Sequence, residues 1–232
     1  IPQSTPLMNG SRDIRTIDPS VIERIEVIKG ATSIYGNGSG GGIINYITKK
    51  NFNKNPISGQ TSFGLRVNPY NSKETFGYRV SQFLSGNSNK FSYMVGGSID
   101  YTGLQRDGEG LVLGQTDGTS NSYQNNVYTK LNYQINDESF VSVMYNFYNS
   151  TQHSKYISKN GVFGVSPTIG VKGEDPGKAT GTPFNHNLIV RYNNNAIFGK
   201  TQFDASFYLN SFRSMNRYVQ SATAWYGPGQ TK

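Results

Sequence analysis

The residues able to do chemistry are few and far apart in this 232-residue chain. His153 and His186 are its only histidines. Neither has a carboxylate or second imidazole at metal-ligand spacing, and a zinc-type site needs several such ligands. There is no Cys, which removes disulfides, thiolate nucleophiles and thiolate metal sites. No Ser/His/Asp or Cys/His arrangement is present, nor a carboxylate pair that can be placed on one face. Asp107, Glu109 and Asp117 share one stretch, which leaves a calcium site open. Gly36-x-Gly38-x-x-Gly41 matches the dinucleotide fingerprint. That fingerprint must follow a strand and open a helix, whereas here it precedes a strand outside any βαβ unit. The expectation is a protein that is not an enzyme and has neither a cofactor nor a metal of its own.

Composition narrows the classes further. The chain carries 22 Lys and Arg against 14 Asp and Glu, a formal charge of +8. The excess is spread out, with 7 basic and 4 acidic residues in 1–55 and 15 and 10 in the rest. No dense basic patch of the kind nucleic acid requires is present. No uninterrupted apolar run exceeds three residues, so a transmembrane helix is excluded. An aromatic content of 13% argues against disorder, and the scarcity of Ala and Leu argues against a helical bundle. Ile1-Pro2-Gln3 opens no basic-then-apolar signal peptide.

The elements that must position any site are strands. In residues 1–50, Asp18-Pro19 reads as a helix start with an Asp cap and Pro in the first helical position. Ile25 to Ile28 and Ile43 to Thr48 read as short strands, and Thr32 to Tyr35 as one helical turn stopped by Gly36. From residue 57 the period is two almost without break. Seven strands are predicted, at 58–67, 74–85, 90–102, 122–135, 138–150, 184–194 and 200–214. Most are longer than the usual five or six residues and match the roughly 9–11 needed to cross a bilayer at a tilt.

The two faces of these strands differ in chemistry. One reads Phe63, Leu65; Phe76, Tyr78, Val80, Leu84; Phe91, Tyr93, Val95, Ile99, Tyr101; Val127, Leu131, Tyr133; and so on to Phe203, Ala205, Phe207, Leu209. The opposite face carries the charges of the strand interiors: Arg66, Arg79, Asp100, Lys130, Arg191 and Asp204. A charge facing lipid costs about 2–4 kcal/mol at mid-membrane, and one facing a wet lumen does not. Gln82 breaks the apolar face, and Met94, Met144 and Ile189 break the polar one. Outward Phe91 and Tyr101 are separated by about 23 Å along the membrane normal, close to the height of an apolar band between aromatic girdles. The connections alternate between longer and shorter, as in an outer-membrane barrel with long loops outside and tight turns in the periplasm. A soluble sheet with one wet face would also alternate, but has no reason to sort its loops onto one end. Seven strands cannot close a bacterial barrel, and the chain ends in the loop Trp225-Tyr226-Gly227-Pro228-Gly229, so a piece of a longer polypeptide is expected.

Residues 22–50 read IERIEVIKGATSIYGNGSGGGIINYITKK. This stretch resembles the end of the plug domain of TonB-dependent outer-membrane receptors, in their siderophore-receptor branch. The matching residues are Glu23, Arg24, Glu26, Lys29, Gly30, Ser33, Tyr35, Gly36, Gly41, Gly42, Asn45, Thr48 and Lys49, while Ala31 stands where that branch usually has Pro.

The resemblance implies a mainly β fold: a transmembrane antiparallel β-barrel of about 22 strands with a plugged lumen. Residues 1–52 would be the C-terminal part of the α+β plug domain, and 53–232 the N-terminal part of the barrel, about seven of its strands. Glu23, Arg24, Glu26 and Lys29 would make plug–barrel contacts. The loop before the ERIEV strand would rise to the plug apex, placing Met8, Asn9, Arg12 and Arg15 at the ligand, with the Arg fork suited to an anionic, oxygen-rich molecule. Trp225 and Tyr226 would stack on it from the outer loops, with Tyr156 and Phe163 as further candidates. Arg106, Lys155 and Lys159 would also face that side. The implied ligand is a ferric siderophore. The implied partners are TonB with its inner-membrane energising complex and outer-membrane lipid, with no nucleic acid, for a monomer in the outer membrane of a Gram-negative bacterium. The family's TonB box lies before the plug. An importer of cobalamin, sugar or peptide, a passive porin-like channel and a soluble sheet protein are the alternatives.

Overall fold

In a computed structural model, the described residues are 16–31, 41–49, 55–114, 120–173 and 179–215. They open on a single 3-10 turn, Pro19–Val21, capped by the Asp18 carboxylate, which accepts from Ser20 N at 2.8 Å. The helix start expected at Asp18-Pro19 is therefore one turn long. The chain leaves it directly into β1 (Ile22–Lys29), where β-branched residues favour extended backbone. Strand β1 pairs antiparallel with β2 (Gly42–Thr48) as a separate two-stranded sheet. The helical turn expected at 32–35 lies outside the described residues.

All seven longer strands form. They are β3 (Ser58–Arg66), β4 (Gly77–Ser88), β5 (Phe91–Thr102), β6 (Ser122–Asn136), β7 (Ser139–Gln152), β10 (Thr180–Ile197) and β11 (Thr201–Met215). Each pairs antiparallel with its neighbour in one sheet of order β11-β10-β7-β6-β5-β4-β3. Strand β4 begins three residues later than expected because Glu74, at φ 63°, belongs to a turn. The 153–179 connection holds a hairpin that periodicity did not predict, β8 (Tyr156–Lys159) with β9 (Ile169–Lys172). Four-residue strands give too short a pattern to distinguish from loop.

The register aligns the two faces row by row. On the apolar face Leu65, Tyr78, Tyr101 and Tyr123 stand side by side, as do Phe91, Tyr133, Val141 and Tyr192. The first row lies at the long-loop end and the second at the tight-turn end. Side chains of this face are open to the surroundings, with Phe63, Leu65 and Phe207 between 60 and 68% exposed. Gln82 is accommodated there by Thr61 on β3, whose hydroxyl donates to its amide oxygen. Arg213 is an exception to the charge segregation: it falls on the apolar face opposite Phe184, near the long-loop end of β11. A charge at the rim costs far less than one at mid-membrane.

The polar face carries most of what is buried. Among the described residues, a small cluster of Val21, Phe83 and Tyr128 is packed with Ile17, Met94 and Met144. Two of these residues, Met94 and Met144, are breaks in the polar pattern. Met94, Lys130, Met144 and Ile189 are direct cross-strand neighbours in one row, and Phe83, Gly96, Tyr128 and Asn146 form the next. The apolar breaks on the wet face are a landing patch for the segment before β1.

Candidate functional site

Residues 16–22 and the end of β2 meet the polar face of the sheet through a buried apolar cluster and several side-chain hydrogen bonds. Asp18 stands at the centre of this contact. Its carboxylate accepts from Arg79 Nη2 on β4 at 2.7 and 2.6 Å, from the Ser98 hydroxyl on β5, and from both the amide and hydroxyl of Ser20. The side chain is 2% exposed. Burial alone would push this acid up, but the hydrogen bonds from Ser20, Ser98 and Arg79 outweigh it and hold Asp18 below the usual carboxylate range.

The surrounding contacts tie the same segment down by other means. Asn146 Nδ2 on β7 donates to the Thr16 carbonyl at 2.9 Å, and both residues are buried. Val21, fully buried, inserts among Phe83, Tyr128 and their apolar neighbours. Its carbonyl accepts from Lys49 N at 2.8 Å, joining the turn to the end of β2. Lys130 Nζ on β6 reaches back to Thr48 Oγ1 at 3.1 Å. Arg79 also faces Asp100 at 3.5 Å, and Asp100 in turn pairs with Arg66, so alternating charges run along the wall away from Asp18. A second ion pair, Arg191 with Asp204, joins β10 and β11 on the same face.

At the long-loop end the connections fold onto each other. Tyr156 Oη donates to Glu74 Oε2 at 2.8 Å, and that bond to a carboxylate pushes the phenol up. Leu104, 2% exposed, is covered there, and its amide donates to the Glu74 carbonyl at 2.7 Å. Gly170 N donates to Val112 O, which links the β8–β9 hairpin to the 103–121 connection. Arg106 donates to the carbonyls of Gly110 and Lys73, so its guanidinium builds the loop. Tyr156 is buried in the same work, whereas Phe163 at the hairpin tip is fully exposed.

The proposed contact residues of β1 pair locally. Arg24 bonds Glu26 at 2.9 Å and Glu23 at 3.4 Å, and Glu26 accepts from Asn45 of β2 at 3.3 Å. Lys29 ends the strand, opposite Gly42. Met8, Asn9, Arg12, Arg15, Trp225 and Tyr226 lie outside the described residues, as does Asp117. Asp107 caps a turn, accepting from Glu109 N and Leu111 N. Among the described residues no group of three His, Asp or Glu is placed to hold a metal. His186 stacks among Tyr145, Phe147 and Phe184 and bonds Tyr145 Oη at 2.9 Å.

Sequence reasoning missed the role of Asp18, which it read only as a cap, and of Arg79, Ser98 and Asn146. One signal was available: Met94 and Met144 interrupting a polar face mark where something apolar must land.

Residues 1–43 match the family model described as the TonB-dependent Receptor Plug Domain. Its opening residues are thus similar to the plug domain of TonB-dependent receptors. The rhizobactin receptor of Rhizobium meliloti (strain 1021) is 32% identical over 156 residues, covering 63% of this chain and 20% of that receptor. The ferric aerobactin receptor of Klebsiella pneumoniae is 65% identical over 40 residues, 17% of this chain and 6% of the relative. The ferrienterobactin receptor of Escherichia coli (strain K12) is 52% identical over 46 residues, 18% and 6%. The chain therefore spans about a fifth of the length of the first of these receptors.

Proposed function

We propose that the chain is part of an outer-membrane transporter that takes up ferric siderophores with energy delivered through TonB, and that it is not an enzyme. Residues 1–52 form the C-terminal part of the plug, and 53–232 the N-terminal part of a transmembrane barrel of about 22 strands. The observation that carries the reading is the placing of the plug segment 16–22 on the polar face of a sheet whose other face is apolar and exposed. A sheet of this kind has lipid on one side and a plugged aqueous lumen on the other. Among the described residues β3 and β11 each have a sheet neighbour on one side only, and lipid does not tolerate an open edge, so in this reading further strands of the whole receptor close the barrel.

The names of the relatives support iron chelates as the ligand class. In this reading Met8, Asn9, Arg12 and Arg15 on the plug and Trp225 and Tyr226 on an outer loop meet the ligand. Glu23, Arg24, Glu26 and Lys29 face wall strands beyond the seven described. The receptor acts as a monomer in the outer membrane of a Gram-negative bacterium, and TonB pulls on the plug to open a path.

The test is uptake of radiolabelled iron chelated by rhizobactin-, aerobactin- and enterobactin-type siderophores, in cells with and without the full-length gene and with and without TonB. Uptake that needs both supports the reading. Uptake of cobalamin, sugar or peptide in place of iron moves the chain to another importer class. A conductance that is open without TonB makes it a porin-like channel.

A further inference from the structure

Among the described residues, the plug–wall seam holds one ion pair with a buried carboxylate, Asp18 with Arg79, and it differs in kind from the pairs on β1. The β1 charges Glu23, Arg24 and Glu26 are 33 to 55% exposed and pair with one another. Asp18 is 2% exposed and pairs across 61 residues of sequence with the wall. It caps its own turn with the same carboxylate. Around it stand an apolar collar of Ile17 and Val21 on Phe83, Met94, Tyr128 and Met144, and the Asn146-to-Thr16 bond.

A buried carboxylate with its donors in place is strongly held, and one left without them is costly. The contact is therefore specific: the plug fits the wall here in one position only. The ionisable groups facing Asp18 are Arg79 and, behind it, Asp100.

We propose that Asp18 is the positioning residue of the plug, a charged pin that fixes the segment after the proposed ligand-contact stretch to strands β4 and β5 through Arg79 and Ser98. The proposal rests on the plug-in-barrel reading above. The pin lies three residues after Arg15, so it sets where the chain enters the apex stretch. It also couples through Val21 and Lys49 to the end of β2, so a displacement of that hairpin is transmitted to the pin.

The experiment uses the full-length receptor in outer-membrane vesicles. Thr16, 3% exposed, is replaced by Cys as a reporter, and its reaction with a membrane-impermeant maleimide is timed. Asp18→Asn and Arg79→Gln should each speed labelling about ten- to a hundredfold, the range of lost charge-assisted bonds. Ser98→Ala should speed it less, since the ion pair remains. Arg79→Lys, which keeps a cation facing Asp18 and leaves the cap and the Ser98 bond in place, should bring the rate to within about threefold of the parent, which a general loosening of the plug does not do. Heat-modifiable gel mobility confirms a folded barrel in each variant, and Ser98→Ala serves where the charge variants do not assemble. An unchanged rate in Asp18→Asn, or labelling of Arg79→Lys as fast as that of Arg79→Gln, overturns the pin. The readout needs no ligand. If labelling behaves as expected while iron uptake is independent of the receptor, the pin stands and the transport reading falls; the reverse result removes the pin alone.

Discussion

The Asp18 carboxylate accepts five hydrogen bonds from four donors on three elements, its own turn, β4 and β5. Its folded pKa lies below the ordinary 3.8, so the sign of its pH dependence is fixed. The stabilisation it gives is complete above the unfolded value and is lost as pH falls through the lower, folded one. Asp100 and Arg79 share the site, and Arg79 stays charged throughout. Plug release on acidification, followed by protease access to residues 16–22, should therefore begin only below about pH 4; release near pH 6 would point to a different group. At the outer loops, Tyr156→Phe removes the bond to Glu74. Limited proteolysis of intact cells should then cut the 153–179 connection faster, reflecting a loss of about 1 kcal/mol. These roles were not readable from residue type: an Asp before Pro signals a cap, and nothing in its neighbours names a partner 61 residues away.

At the scale of elements, the strands were legible because lipid and lumen impose a period of two over many residues. Val95 is on the apolar face of β5, and Ser92 is on its polar face. Val95→Arg should destabilise the assembled barrel by about 2–4 kcal/mol, whereas Ser92→Arg should cost little; denaturant titration of the refolded receptor compares them. Gly96 sits between Phe83 and Tyr128 in the row beneath Val21, and a Cβ there would meet the Gln82 carbonyl oxygen of β4 at 2.1 Å and Phe83 Cδ1 at 2.6 Å. Gly96→Val should therefore push β4 and β5 apart as well as disturb the landing patch, costing about 1–3 kcal/mol or more in a denaturant titration of the refolded receptor. The elements that stayed hidden were those with no face to reveal. Strands β8 and β9 are four residues each, and the Pro19–Val21 turn is three. Met94, Met144 and Ile189 were visible as breaks in a pattern, yet only the register shows that they share one row.

For the whole molecule, low apolar content with few charges suits a wall between lipid and a filled lumen. Among the described residues, Tyr128, Val21 and Asn146, three of the four largest fully buried side chains, lie where residues 16–22 touch the polar face of the sheet. In the proposed reading Arg12 and Arg15 belong to this scale, since a ligand they met would also be held by loops of the complete receptor. Replacing both by Ala in the full-length protein should weaken ferric-siderophore binding by at least tenfold in a direct binding titration, and an unchanged affinity would remove them from the site. The central claim is transport, and uptake of a radiolabelled ferric siderophore tests it most directly. The account predicts uptake that appears with the full-length gene and disappears when either that gene or TonB is deleted. Equal uptake in cells lacking the gene, for every ferric siderophore supplied, would contradict it.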